Sequence, residues 1–202
     1  GRGDIPILFS LTEEDGLDCS VAVEYKGGSA GDTWTPGTIY GTDIFSPGTD
    51  LTVYWDSASD ELGSDASDFS VRLIADNGTQ SGESTESGVF SVDNTLSVHL
   101  TQPTGTQRGD ADIVFDLSAP DRILCNLEVQ FKGGSVTLWS SADVTGVSGV
   151  SDGTGQVFTW NSVTDLPGES ASDCMLQVRA YCGTVYSAWD ATAALDLDKD
   201  DP

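Results

Sequence analysis

Basic residues are the first scarcity: 8 lysines and arginines stand against 33 aspartates and glutamates, for a net charge of -25. Lysine occurs only at Lys26, Lys132 and Lys199. A surface of that sign repels duplex nucleic acid and anionic membranes, so no nucleic-acid partner is expected. No apolar run approaches the roughly 18 residues that span a bilayer, and no direct membrane insertion is expected. No signal-peptide pattern begins the chain, so an exported form is expected to be a mature or excised piece. Helical periodicity, a phosphate-binding glycine loop and a C-x-x-C pair are all missing. Histidine occurs once, at His99, which excludes a His-based zinc site.

What is present points outward. The acidic surface suits cations, cationic partners and a salty or calcium-bearing environment, and it keeps a β protein soluble. Four cysteines, with abundant serine, threonine and glycine, lean toward an extracellular or cell-surface location.

The chain is a duplication. Residues 2–29, RGDIPILFSLTEEDGLDCSVAVEYKGGS, align without a gap on residues 108–135, RGDADIVFDLSAPDRILCNLEVQFKGGS. Close to half the positions are identical, far above chance, so one unit is used twice. The register continues, shifted by one, through Trp34 with Trp139, Trp55 with Trp160, Asp68 with Asp173 and Ala75 with Ala180. It closes with FSVDN (90–94) against LDLDK (195–199), which divides the chain into repeats at 1–94 and 95–202. The adhesion-like tripeptide Arg2-Gly3-Asp4 recurs as Arg108-Gly109-Asp110 at the same repeat position. An inherited turn, with glycine supplying backbone freedom and aspartate local hydrogen bonds, explains both copies. With one histidine, no Ser-His-Asp triad can recur in both repeats.

Each repeat alternates apolar and polar residues with the period of a half-buried strand. In CSVAVEY the inward set is Cys19, Val21, Val23 and Tyr25; in CNLEVQF it is Cys125, Leu127, Val129 and Phe131. FSVRLIAD and CMLQVRAYC alternate likewise, with Lys-Gly-Gly, Thr-Pro-Gly, Ser-Pro-Gly, Leu-Pro-Gly and Asp-Asn-Gly as turns between strands. Six or seven short strands per repeat of roughly 100 residues predict an all-β chain of two tandem β-sandwich domains related by internal duplication.

The runs LEVQFKGGSVTLW, QVFTW, LPG and MLQVRAYCGTVYSAW resemble the fibronectin type III pattern, over most of both repeats. More narrowly, KGG…W, YWDS and FSVDN resemble repeats of large bacterial surface and secreted proteins, which act as spacers or adhesive stalks. The resemblance implies that CNLEVQF is strand C and CMLQVRAYC strand F, antiparallel neighbours in one sheet. A Cys125–Cys182 disulfide follows from that register. An immunoglobulin-like register is the alternative; it makes CNLEVQF strand B and pairs Cys125 with Cys174 across the sheets. With Cys125–Cys182 formed under the fibronectin register, Cys19 is a buried thiol, or pairs with Cys174 across an interface. The fibronectin register also makes LSVHLTQP (96–103) strand A of the second domain, with no equivalent ahead of Arg2. A chain cut from a longer array accounts for this, and strand addition by another subunit is the rival explanation.

Three acidic groups are candidates for calcium, which takes six to eight oxygen ligands. They are Asp196, Asp198 and Asp200 with Asp201; Glu13, Glu14, Asp15 and Asp18 near Asp76 and Asn77; and Asp60, Glu61, Asp65 and Asp68 near Asp93 and Asn94. No cofactor is required otherwise. Trp189, which lacks a counterpart in the first repeat, and Tyr186 are the candidate glycan contacts. Asn77-Gly78-Thr79 is a glycosylation triplet and equally a tight hairpin turn, which is the reading preferred here. No constellation points to catalysis. The expected function is a non-catalytic extracellular structural module, part of a surface stalk, sheath or filament. Its partners would be copies of itself or adjacent repeats of a longer chain. The alternative is an adhesive or carbohydrate-binding module with a glycan as partner.

Overall fold

The computed structural model describes residues 1–82 and 85–198. It comprises two compact units, Gly1–Thr95 and Leu96–Pro202, dividing one residue after the boundary read from the repeat. In the first unit the strands are β1 (Asp4–Leu11), β2 (Cys19–Lys26), β3 (Thr35–Gly37), β4 (Ile39–Tyr40), β5 (Ile44–Phe45), β6 (Gly48–Asp56), β7 (Asp65–Asp76), β8 (Ser81–Gly82) and β9 (Phe90–Asp93). One sheet has the order β1-β6-β4. The other runs β3-β2-β7-β8, with β5 on β2 and β9 on β7. The alternation of β2 is realised as expected: Cys19, Val21, Val23 and Tyr25 are buried.

The second unit repeats the plan with β10 (Ser97–Leu100), β11 (Gln107–Arg108), β12 (Ala111–Ser118), β13 (Asn126–Gly133), β14 (Val136–Ser141), β15 (Val144–Thr145), β16 (Gly153–Trp160), β17 (Ala171–Cys182), β18 (Val185–Tyr186), β19 (Asp190–Ala191) and β20 (Leu195–Asp198). Its sheets are β10-β12-β16-β15 and β11-β20-β17-β13-β14, the latter with β18 and β19 paired to β17. CNLEVQF is therefore the sheet neighbour of CMLQVRAYC, antiparallel with Val129 opposite Val178. Each unit is a β-sandwich.

A single helical turn follows the long strand of each first sheet: α1 (Ser57–Asp60) after β6, and α2 (Ser162–Asp165) after β16. They are too short to disturb the all-β architecture. Four residues make barely one turn, so they carry no 3.6-residue periodicity to read.

Trp55 and Trp160, at the ends of β6 and β16, are 0% exposed and centre their cores. Each removes about 200 Å² from water, worth roughly 5 kcal/mol of gross transfer energy. Around Trp55 lie Tyr25, stacked at 4.7 Å, and Phe69 at 5.7 Å. Phe131 lies 5.7 Å from Trp160.

Candidate functional site

The residues that recur between repeats converge on three constructions. The first is a tryptophan–aspartate lock. The turn α1 brings Asp60 back under Trp55, whose indole Nε1 donates to Oδ2 at 2.7 Å. Asp60 also accepts from the Thr38 amide at 2.8 Å and the Thr38 hydroxyl at 2.7 Å. In the second unit α2 does the same: Asp165 accepts from Trp160 Nε1 at 2.7 Å and from the Asp143 amide at 2.9 Å. A buried indole N–H needs an acceptor, and the one-turn helix supplies it. Sequence reasoning placed Asp60 in a calcium group and missed Asp165. The signal was available as WDSASD against WNSVTD, a tryptophan and an aspartate at one spacing in both repeats.

The second construction is the K-G-G-S turn. Gly27 and Gly133 have φ of 105° and 136°. A Cβ on Gly133 would lie 2.5 Å from the Cα of Cys174, and one on Gly27 would lie 2.6 Å from the Asp68 carbonyl oxygen. Only glycine serves where the turn lies this close to the neighbouring strand. Acids hold the rest of the turn. Asp68 accepts from the Gly28 amide at 3.1 Å, and Asp173 from the Gly134 amide at 2.9 Å. Glu61 and Glu169 accept from the hydroxyls of Ser29 (2.5 Å) and Ser135 (2.6 Å). The Ser135 hydroxyl and amide hold Glu169 below the ordinary carboxylate range. The lysine that opens each turn covers a tryptophan: Lys26 lies 4.8 Å from the ring of Trp34, and Lys132 lies 4.6 Å from that of Trp139. That pairing is the physical content of KGG…W.

The third is the R-G-D turn. Gly3 and Gly109 both have φ of 65°. Gly3 is buried; its amide donates to Asn94 Oδ1 at 2.9 Å, and its carbonyl accepts from the Ser57 hydroxyl at 2.6 Å. The Ser162 hydroxyl donates to the Gly109 carbonyl in the same way. Arg2 donates to the Thr95 carbonyl at 2.9 Å, while Arg108 pairs with Asp198 at 3.1 Å. The tripeptide is part of the frame of each sandwich, with Gly3 held at both its amide and its carbonyl.

The cysteines are placed separately. Cys125 is bonded to Cys182, with Cα atoms 4.8 Å apart, and not to Cys174. Cys19 and Cys174 lie outside the bond and are buried, each within its own unit. Burial, with Glu13, Asp18 and Asp76 nearby, pushes the Cys19 thiol up.

The calcium candidates are dispersed. Among the described residues, no group of three or more His, Cys, Asp or Glu side chains is arranged to hold a metal ion. Asp60 is committed to Trp55 and Thr38. Asp65 and Asp93 face each other across β7 and β9. Hydrogen bonds from the Thr95 hydroxyl, at 2.6 Å, and amide hold Asp93 below its ordinary value. Asp196 is exposed and Asp198 pairs with Arg108; Asp200 lies outside the described residues. Glu13 accepts from the Leu17 amide at 2.7 Å and from Asn77 Nδ2 at 3.1 Å. Asn77 Oδ1 in turn accepts from the amides of Thr79 and Gln80 at 2.9 and 2.8 Å. Its side chain thus ties the β7–β8 hairpin.

One aromatic cluster has no counterpart at the same repeat positions, although Arg72 on β7 likewise lies 4.5 Å from the ring of Trp34 and donates to Glu24 at 2.6 Å. On the outer face of β17, Arg179 lies 4.4 Å from the ring of Tyr186 and 4.6 Å from that of Trp189. Glu128 on β13 accepts from its Nε at 2.8 Å, and Tyr181 stacks on Tyr186 at 5.5 Å. Tyr186 remains 50% exposed, so the ladder presents one aromatic edge to solvent beside a shallow cavity of about 330 Å³. His99 is exposed and meets Asp190 at 3.1 Å; that carboxylate also accepts from the Leu100 amide at 2.7 Å, tying β10 to β19.

No protein-family model and no curated protein matches the chain. Among solved structures, the chain is similar to the chicken CNTN1 FN1–FN3 domains, at 13% identity and a TM-score of 0.38. It is also similar to the mouse nectin-like molecule 4 ectodomain (Ig1–Ig3), at 14% identity and a TM-score of 0.28. Both alignments cover 100% of this chain; it spans 64% of the first protein's chain and 66% of the second's. At those scores neither likeness bears on function, and the fold rests on the strand pairing described above.

Proposed function

We propose that the chain is a non-catalytic structural module of an extracellular assembly, a segment of a cell-surface stalk, sheath or filament built from β-sandwich repeats. One observation carries this reading: the shared Trp and Asp of the lock, the K-G-G-S turn and the Arg-Gly of the R-G-D turn are engaged in holding each sandwich. A duplicated binding or catalytic site would instead leave shared polar residues facing an opening. The disulfide and the acidic surface favour an oxidising, saline exterior, and the role asks for no cofactor. Its partners are adjacent repeats or copies of the chain. Antibody labelling of intact source cells under the electron microscope tests this. Surface fibres or an outer layer should carry the label; label confined to the cell interior would overturn it.

A second reading rests on the Arg179–Tyr186–Trp189 ladder. Ordered aromatic edges beside a carboxylate and a guanidinium suit stacking on a sugar ring, so glycan binding at this face is the alternative. Titration with soluble oligosaccharides decides it: saturable binding lost in Tyr186→Ala and Trp189→Ala would favour a lectin-like role over a purely structural one.

A further inference from the structure

The two sandwiches differ at one edge. In the second unit β10 covers β12, turning Leu96, Val98 and Leu100 inward, each no more than 7% exposed. Val98 stands opposite Leu117 and Leu100 opposite Phe115, and the Thr101 amide donates to the Val114 carbonyl at 2.9 Å. Beneath it Ile113, Phe115, Val178 and Ala180 are at most 1% exposed. In the first unit β1 pairs with β6 on one side, and no described strand lies on the other. The residues at the repeat-equivalent positions, Ile7, Phe9, Leu73 and Ala75, are only half-buried. They line a groove of about 600 Å³ between β1 and β7. Thr85 also lines it, at the position where Asp190 grips β10 in the second unit.

We propose that this groove is a strand-addition site that takes a linker strand of the β10 kind, supplied by another repeat, antiparallel to β1. The chain displays the occupant itself at the duplicated place. The incoming segment would set two apolar side chains against Leu11 and Phe9, as Val98 and Leu100 meet Leu117 and Phe115. Its backbone would donate to the Leu8 carbonyl as Thr101 does to Val114. Main-chain pairing supplies affinity and the alternating inward side chains supply selectivity, the logic of β-augmentation. An apolar edge left open would otherwise invite promiscuous pairing. The proposal rests on the structural-module reading only for the source of the strand.

The test replaces Gly1 in the full chain by the sequence of residues 96–107, which stands before Arg108 as Gly1 stands before Arg2. A control extension carries serine in place of its three inward apolar residues. Hydrogen exchange of the segment 4–12 should slow about tenfold or more with the apolar extension and stay unchanged with the control. The first unit's melting midpoint should rise by roughly 10 °C. No protection, or equal protection from both extensions, overturns strand addition. Sedimentation of the unextended chain should show a monomer; a dimer abolished by the apolar extension would make a second copy the occupant and overturn the linker-strand assignment. Exchange is blind to cellular location, so this result and the labelling experiment stand or fall separately.

Discussion

Removing the carboxylate of Asp165 should cost the second unit about 2 kcal/mol, nearly all of it through one hydrogen bond. Trp160 is 0% exposed and its Nε1 donates to Asp165 at 2.7 Å. In Asp165→Ala that donor stays buried with no acceptor, a penalty of about 1–3 kcal/mol. The other donor, the Asp143 amide, lies at the surface, where water replaces the lost partner at little cost. For a domain of this size a loss of ~2 kcal/mol lowers the midpoint by about 8–16 °C. Asp165→Asn keeps a carbonyl acceptor and should recover roughly half of the loss. Urea unfolding followed by far-UV circular dichroism measures both variants without relying on indole fluorescence. In the Trp160→Phe background Asp165→Ala should be nearly neutral, because the donor it orphans is gone. The lock is refuted if Asp165→Ala costs less than about 0.5 kcal/mol, or as much with Phe at position 160 as with Trp.

Gly133→Ala puts a Cβ 2.5 Å from the Cys174 Cα at a φ of 136° and should destabilise the second unit by about 3 kcal/mol. Gly183→Ala, at a φ of 57° with open space around it, should cost only about 1 kcal/mol; equal effects by thermal melting would sink the close-approach argument. Breaking Cys125–Cys182, which closes a sequence separation of 57, should cost about 4 kcal/mol in chain entropy. The second unit's melting transition alone should fall on reduction, and an equal fall in the first would contradict the assignment. For pH, Glu169 titrates below its ordinary 4.5 in the folded chain. Its contribution is therefore complete above the unfolded value and is lost as pH falls through the lowered folded one. Glu169→Gln should flatten that acid limb of the melting profile. Tyr25 is pushed up to about 12, chiefly by burial. Its phenol keeps its proton longer folded than unfolded, so stability falls from the ordinary tyrosine range up to about 12, and Tyr25→Phe should lessen that alkaline loss.

The duplication and the strand alternation were legible because both are written along the chain. CSVAVEYK and NLEVQFKG bury every second residue, as a period of two requires. The placement of CNLEVQF beside CMLQVRAYC followed from a family likeness, and the pairing of β13 with β17 has that form. The acids were the least legible. Asp60, Glu61 and Asp65 read as one ligand group because they are near in sequence. In the fold Asp60 turns to an indole, Glu61 to a serine in another turn, and Asp65 to a strand edge. A carboxylate's partner is fixed by tertiary approach, which local composition does not encode. The Arg179 ladder was half visible: Trp189 stood out for lacking a repeat partner, but the guanidinium between two rings is a cross-strand geometry. Short pairings such as β5 and β19 carry too few residues to show any period.

The disulfide has a mechanical consequence. It joins the residue just before β13 to the last residue of β17, and β10 to β12 and β18 to β20 lie outside the loop it closes. Under tension applied through the backbone, β10 and β20 can peel while everything from Cys125 to Cys182 stays closed. Extension of the second unit is then shorter by about 200 Å than that of an unbonded chain of equal length, taking roughly 3.5 Å for each shielded residue. The first unit, with no disulfide of its own, extends in full. Pulled as a tether, the pair would yield in two unequal steps, one sandwich serving as a long reserve of slack and the other as a stop.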